Sequence, residues 1–160
     1  MRNKGVLFIV QAAMIAAVYV VLTYFVSAFN LASGAIQIRI SEALTILPVF
    51  TPAAVPGLFV GCLLANLLTG CMPLDVVFGS LATLIGAAGT YVLRRNRWLA
   101  PIPPIVSNTV IVPFVLAYVY MAEGTIPFFM LTVGIGEVIS CYVLGNILYS
   151  ALHRYKNKIF

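Results

Sequence analysis

Long apolar segments dominate the pattern of this chain, and short polar or basic stretches separate them. A helix needs about 20 apolar residues to cross the hydrocarbon core of a bilayer. Within residues 42–69 the apolar run is interrupted by Pro48, Pro52 and Pro56. Because residues before a proline disfavour the helical region, this segment could be one kinked helix or two helices with a turn near Thr51, and the basic residues discussed next favour two. The predicted spans are 6–29, 42–51, 53–69, 75–93, 98–121 and 126–152.

Basic residues decide the number of spans, because cytoplasmic loops of membrane proteins are enriched in Lys and Arg. The arginine-rich loop at residues 94–97 should then face the same side as Arg2 and Lys4. Six spans satisfy this condition, place the basic tail with Lys156 and Lys158 on that side, and leave Arg39 outside. The sequence therefore predicts an all-α, single-domain membrane protein with six transmembrane helices, a short second helix and both termini in the cytoplasm.

Composition fits a multi-pass protein of the cell membrane and excludes several other classes. Of the 160 residues, 62% are hydrophobic and 8% are charged, whereas soluble domains carry about a quarter charged residues. This excludes a cytosolic enzyme, a disordered tail and a nucleic-acid binder. The net charge of +5 lies in short clusters between apolar runs, as membrane orientation requires.

Catalytic and metal-binding motifs are lacking in the sequence. Cys62, Cys71 and Cys141 have no CxxC spacing, so we interpret them as small buried hydrophobes and expect no zinc site. The single histidine, His153, lies near the basic tail, and there is no Walker, HExxH or GxSxG motif. We therefore expect no enzyme activity, no cofactor and no metal, and we expect another subunit to supply the energy for any transport.

A few polar residues fall at outer helix ends or at membrane depth, where a charge costs about 2.5–3.5 kcal/mol. Glu137 lies well inside the last span, so Asn108, Arg39 or a ligand should compensate it. Arg39 could instead pair with Glu42, and Asp75 could stabilise the start of its helix through the macrodipole. The candidate ligand-binding residues are Arg39, Glu42, Asn66, Asp75, Asn108 and Glu137.

Two further patterns concern the first span and the loop after it. Residues 35–40 alternate between apolar and polar side chains, which predicts a short extended flap over the outer face. In the first span, Ala12 and Ala16 are four residues apart, and so are Ala13 and Ala17. Such small-residue faces allow helices to approach closely, either for internal packing or for docking of a partner.

Several segments along the chain together carry a resemblance to a known family. They are IQIRISEALT at 36–45, Gly61-Cys62 with Ala65-Asn66, Asp75 with FGSLATL at 78–84, Asn108, and VGIGE at 133–137. These segments resemble the QueT-type queuosine-precursor transporters, which are substrate-binding S components of energy-coupling factor (ECF) transporters. The similarity covers essentially the whole chain.

The resemblance implies that the chain captures a small molecule outside the cell and delivers it inward with a transmembrane T subunit and two ATPases. The alanines of the first span would form the docking face for the T subunit; these are Ala12, Ala13, Ala16 and Ala17. Two alternatives stay open. One is an S component for a different vitamin or nucleobase, and the other is a non-transporting membrane scaffold.

The implied ligand is a 7-deazaguanine base bearing an aminomethyl group. Its two-donor edge would suit the carboxylate of Glu137, and its ammonium group would suit Glu42 or Asp75. Phe78 or Tyr118 could stack on the base. The remaining donors for the ring acceptors would be Asn66, Asn108 and Arg39.

Overall fold

A computed structural model describes residues 4–28 and 38–155, and within those ranges every regular element is a helix. This confirms the predicted all-α class with six helices. Residues 35–37 of the predicted flap lie outside the described residues, while Arg39 has an extended backbone just before the second helix. The helices are α1 (Lys4–Ala28), α2 (Ile40–Val49), α3 (Ala54–Leu68), α4 (Pro73–Val92), α5 (Ile102–Tyr118) and α6 (Ile126–His153).

Prolines set several helix starts. Pro73 is the first residue of α4 and Pro127 the second residue of α6, positions where the missing N–H costs nothing. The fifth helix begins at Ile102, later than the predicted residue 98, because residues 97–101 form turns ahead of a proline-rich first turn.

Three of the six helices are long and apolar enough to cross a membrane on length and composition; these are α1, α4 and α6. The other three are apolar but shorter, with 10 residues in α2, 15 in α3 and 17 in α5. The chain thus has the helices of a multi-pass membrane protein, and six spans remain a prediction.

The second helix is wound as a 3₁₀-helix and lies at the centre of the bundle. All residues from Ser41 to Pro48 are buried, and α2 contacts α1, α3, α4 and α6. A 3₁₀-helix rises about 2.0 Å per residue instead of 1.5 Å, so this short segment reaches further than an α-helix of equal length.

Close packing of α1 on α3 depends on two glycines. A Cβ atom on Gly57 would lie 2.7 Å from the backbone oxygen of Ala12, and one on Gly61 would lie 3.0 Å from the Cα of Ala16. Ala12 and Ala16 therefore pack against α3 inside the molecule, and their predicted place on a docking face stays a prediction. Ala13 and Ala17 are exposed.

Aromatic contacts bring three segments that were predicted to be cytoplasmic together at one end of the bundle. Phe50, just after α2, stacks on Tyr149 of α6 with ring centroids 5.1 Å apart. The guanidinium of Arg97 lies 5.1 Å from the centroid of the same Tyr149 ring. The turn after α2, the arginine-rich loop and the last turns of α6 thus share one end, called the basic end below. Arg2, Lys156 and Lys158 lie outside the described residues.

Candidate substrate-binding site

Glu42, in the first turn of α2, accepts hydrogen bonds on both carboxylate oxygens. The hydroxyl of Tyr19 on α1 donates to Oε1 at 2.5 Å, and the amide of Asn108 on α5 donates to Oε2 at 3.5 Å. The Glu42 side chain is 1% exposed. Helices α1 and α5 therefore hold this carboxylate from two sides.

Glu137 on α6 faces Glu42 across the bundle and is also buried. The Cys141 thiol donates to its Oε2 at 3.1 Å, and the Asn108 amide interacts with Glu137 as well as with Glu42. Ligand atoms of Glu42, Glu137 and Cys141 all lie within 4.8 Å of one another. We call Tyr19, Glu42, Asn108, Glu137 and Cys141 the inner cluster.

A wide turn shapes this part of α6. Residues Val138–Leu144 form a π-helical segment that begins directly after Glu137, and such segments occur often at functional sites. Cys141 lies within it and contacts the backbone oxygen of Glu42 at 3.6 Å, while Thr45 donates to that oxygen at 2.6 Å. Cys141 is buried as predicted, but it also makes polar contacts that the interpretation as a hydrophobe left out.

The inner cluster offers the chemistry of a cation site. Two carboxylates and a thiol could hold an organic ammonium group or a small divalent metal ion. The sequence spacing of Glu42, Glu137 and Cys141 gives no sign of this grouping, because the three residues come from α2 and α6, which are far apart in the chain.

Arg39 lies between two cavities at the end of the bundle opposite the basic end. The larger, about 310 Å³, is lined by Arg39, Asp75 and Tyr120 among others. The smaller, about 150 Å³, includes Arg39, Asn66 and Ser41. Burial alone would lower the pKa of Arg39, but Tyr19, Cys62, Glu42 and Asp75 together raise it above its ordinary value, so the guanidinium stays charged.

Asp75, in the first turn of α4, accepts a hydrogen bond from the Tyr120 hydroxyl at 2.8 Å. That hydroxyl accepts in turn from the backbone N–H of Met72 at 3.2 Å. Tyr120 follows the end of α5, so it joins the start of α4 to the loop after α5. Asp75 and Tyr120 are called the outer pair.

Asn66 lies close to Asp75. A Cβ on Gly79 would lie 3.2 Å from Nδ2 of Asn66 and 3.3 Å from Oδ1 of Asp75. Within its own helix the Asn66 amide contacts the Cys62 sulfur at 3.7 Å. The structure therefore brings Glu42, Asn108 and Glu137 together, and it places Arg39, Asn66 and Asp75 around the adjoining cavities.

The two aromatic residues suggested for base stacking lie elsewhere. Phe78 and Tyr118 line an apolar groove of about 410 Å³ on the surface between α4 and α5, with only hydrophobic and aromatic neighbours. Tyr118 is 71% exposed. None of the candidate acids or amides lines that groove, and stacking of the base on Phe78 or Tyr118 stays a prediction.

Sequence reasoning missed Tyr19, although a signal for it was present. Tyr19 and Thr23 follow Ala12 and Ala16 at spacings of three and four residues, which places all four on one helix face. That face packs against α2 and α3 through the Tyr19–Glu42 and Thr23–Ser41 hydrogen bonds and the two glycine contacts.

Comparison with known proteins gives the family of this chain. The family model described as "QueT transporter" matches residues 9–154. The chain belongs to the QueT transporter family. Among curated proteins it is similar to the "Queuosine precursor transporter QueT" of Lactococcus lactis subsp. cremoris (strain MG1363), with 33% identity over 85 residues.

That alignment covers 53% of this chain and 50% of the relative, so the chain spans about half the length of the curated relative it matches. No solved structure matches the chain. Membership of the QueT family places the chain among transporters, as predicted, rather than among enzymes. Together with the apolar helices, it supports a multi-pass protein of the cell membrane.

Proposed function

We propose that this chain is the substrate-binding S component of an ECF-type importer, and that it binds a queuosine precursor, the aminomethyl 7-deazaguanine base. It would act with a T subunit and two ATPases, since its sequence has no ATP-hydrolysing motif. The observation that carries the proposal is the convergence of Glu42, Asn108 and Glu137 from three helices onto one buried point.

Charge supports a cationic ligand. Glu42, Glu137 and Asp75 lie near a single cation, Arg39, which interacts electrostatically with each of the three acids. The other described basic residues are at the basic end or at the start of α1. A buried carboxylate without compensation is costly, and the ammonium group of an aminomethyl base would supply positive charge where it is needed.

Hydrogen-bond capacity supports a division of roles between the two glutamates. Both oxygens of Glu42 already accept from Tyr19 and Asn108. Glu137 accepts from a thiol, which is a weak donor, and shares the Asn108 amide with Glu42. Glu137 therefore has the greater capacity to accept the two-donor edge of the base, and Glu42 is suited to the ammonium group. Asn108 lies beside both carboxylates and is suited to an acceptor on the ring.

The primary test is thermal unfolding of the purified chain in detergent with the aminomethyl deazaguanine base, guanine, riboflavin or thiamine. A ligand at 100 times its Kd adds about 2.7 kcal/mol to the native state. We expect the deazaguanine base to raise the Tm most. A shift with riboflavin or thiamine instead would favour an S component for another vitamin. No shift with any of the four would favour the scaffold.

A second test concerns the partner subunits. Of the four alanines predicted to dock, Ala13 and Ala17 are exposed, and we propose that they contact the T subunit. Ala13→Leu with Ala17→Leu should abolish co-purification with the T subunit and ATPases and leave ligand binding intact. Ala88→Leu, at an exposed alanine of α4, is the matched control. Equal co-purification of the double variant and the control would remove α1 from the interface.

A further inference from the structure

Helix α1 is bonded to the segment around α2 at three levels. Near the basic end, the hydroxyl of Thr51 donates to the side-chain oxygen of Gln11 at 2.8 Å. In the middle, Tyr19 donates to Glu42. Towards the outer end, Thr23 donates to the hydroxyl of Ser41 at 2.9 Å. Of these three hydrogen bonds, the middle one joins two residues of the inner cluster.

The position of the Tyr19 ring is fixed by packing. Tyr19 is 1% exposed, and its Cβ would lie only 2.9 Å from a Cβ on Gly61. The glycine allows α3 to approach the Tyr19 Cβ closely, and burial of the side chain restricts the rotations that would carry the hydroxyl away from Glu42. A donor held in this way orders the carboxylate it binds before any ligand arrives, which lowers the entropic cost of binding.

We propose that Tyr19 is a positioning residue for the substrate site, and that its hydroxyl holds the Glu42 carboxylate in the orientation that receives the ligand. This inference rests on the proposed function and deepens it. It also makes α1 part of the site. One face of that helix holds Glu42, while the opposite face is exposed at Met14, Val21 and Phe25.

If Tyr19 holds Glu42 in this way, the exposed face of α1 is coupled to the substrate site. A contact on the exposed face that shifts the helix along α3 changes the Tyr19–Glu42 distance and hence the affinity for ligand. By linkage, ligand binding changes the affinity for that contact by the same factor. The hydroxyl of Tyr19 is the atom through which this coupling passes.

The test is a double-mutant cycle on the Kd for the aminomethyl deazaguanine base, with wild type, Y19F, E42L and Y19F/E42L. Phenylalanine keeps the ring and removes only the hydroxyl, and leucine in place of Glu42 offers that hydroxyl no acceptor. We expect Y19F to weaken binding about tenfold in the wild-type background, since it removes a hydrogen bond to a carboxylate. In the E42L background the same change should alter the Kd less than about twofold, as expected for residues that act through one contact. The matched control is Y24F on the exposed side of α1, where the Kd should not change.

The cycle separates positioning from plain packing. If Tyr19 only stabilised the fold, Y19F would weaken binding equally in both backgrounds, and that result would overturn the inference. If the wild type binds the base and Y19F binds it with the same Kd, the inference is overturned and the proposed function stands. A folded wild-type chain that does not bind the base would overturn both.

Discussion

Glu42 and Asp75 lie in the first turns of their helices, and each accepts a hydrogen bond from a tyrosine, yet their surroundings differ. Tyr19, the partner of Glu42, is 1% exposed and is wedged against a glycine of α3. Tyr120, the partner of Asp75, is 39% exposed and belongs to the loop after α5. The inner cluster is built from packed helices, whereas the outer pair joins a helix start to a loop.

We infer from this difference that one region governs how tightly the ligand binds and the other governs how easily the ligand reaches the site. A hydrogen bond between buried, packed groups is strong because water does not compete for its partners. A bond between partly exposed groups at a loop exchanges readily with water and contributes less. The inner cluster should therefore determine the affinity for the ligand, and the outer pair should affect how easily the ligand enters. The predictions below compare these two regions.

The largest effect is expected for Gly61→Leu, which would destroy the packing beneath the inner cluster. A side chain there meets both Tyr19 and the backbone of Ala16, and overpacking of this kind typically costs about 1–3 kcal/mol or more. We expect a clear fall in Tm in detergent together with loss of ligand binding. Ala88→Leu introduces the same side chain at an exposed site and should change neither quantity. An unchanged Tm in Gly61→Leu would show that α1 and α3 are not closely packed.

Glu137→Gln should weaken ligand binding by about tenfold or more, because an amide cannot accept a two-donor edge on both atoms. The measurement is calorimetric titration with the aminomethyl deazaguanine base. Glu123→Gln, in the exposed loop before α6, is the matched control and should bind like wild type. Equal affinities of the two variants would remove Glu137 from the site.

Tyr120→Phe should have a smaller effect, and mainly on rates. The change removes the hydrogen bond to Asp75 and leaves the inner cluster intact. We expect the Kd to change less than about threefold while the association rate, measured by stopped-flow fluorescence, increases. Tyr118→Phe, two residues away on the outer surface, serves as the control. A tenfold change in Kd for Tyr120→Phe would place the outer pair in the binding site itself.

Phe78→Leu should produce the smallest effect. Its ring lines the apolar groove between α4 and α5, and no residue of the inner cluster or the outer pair lines that groove. We expect the Kd values for guanine and for the aminomethyl base each to stay within about twofold of the wild-type values. A larger loss of affinity for both guanine and the aminomethyl base would support a stacking role for Phe78.

The sequence was sufficient to predict the helical class and three members of the inner cluster. Glu42, Asn108 and Glu137 are conspicuous because polar groups are rare in apolar segments. The contribution of Tyr19 was harder to predict, since an isolated tyrosine in an apolar helix looks like any other aromatic residue. Its role depends on Gly61 and Glu42, which lie in other helices, and contacts between helices are not encoded in the pattern of one segment.

The 3₁₀ winding of α2 and the π-helical segment of α6 could not be predicted from the sequence pattern either. Over ten residues, the apolar positions of a 3₁₀-helix and an α-helix differ too little to separate them when nearly every residue is apolar. The π-helical segment after Glu137 depends on how α6 fits against α2, so it arises from tertiary packing. Ala12 and Ala16 illustrate the same point, because only the glycines of α3 show that their face is occupied.

The 3₁₀ winding of α2 has a consequence for how a helix can exist where neither water nor lipid reaches it. A helix leaves its terminal backbone groups unpaired, and in an apolar environment each of them costs several kcal/mol. Bonds to the third residue along the chain close one more pair than bonds to the fourth in a segment of the same length. For a segment buried continuously from Ser41 to Pro48, the tighter winding reduces the number of polar backbone groups that the surrounding helices must satisfy.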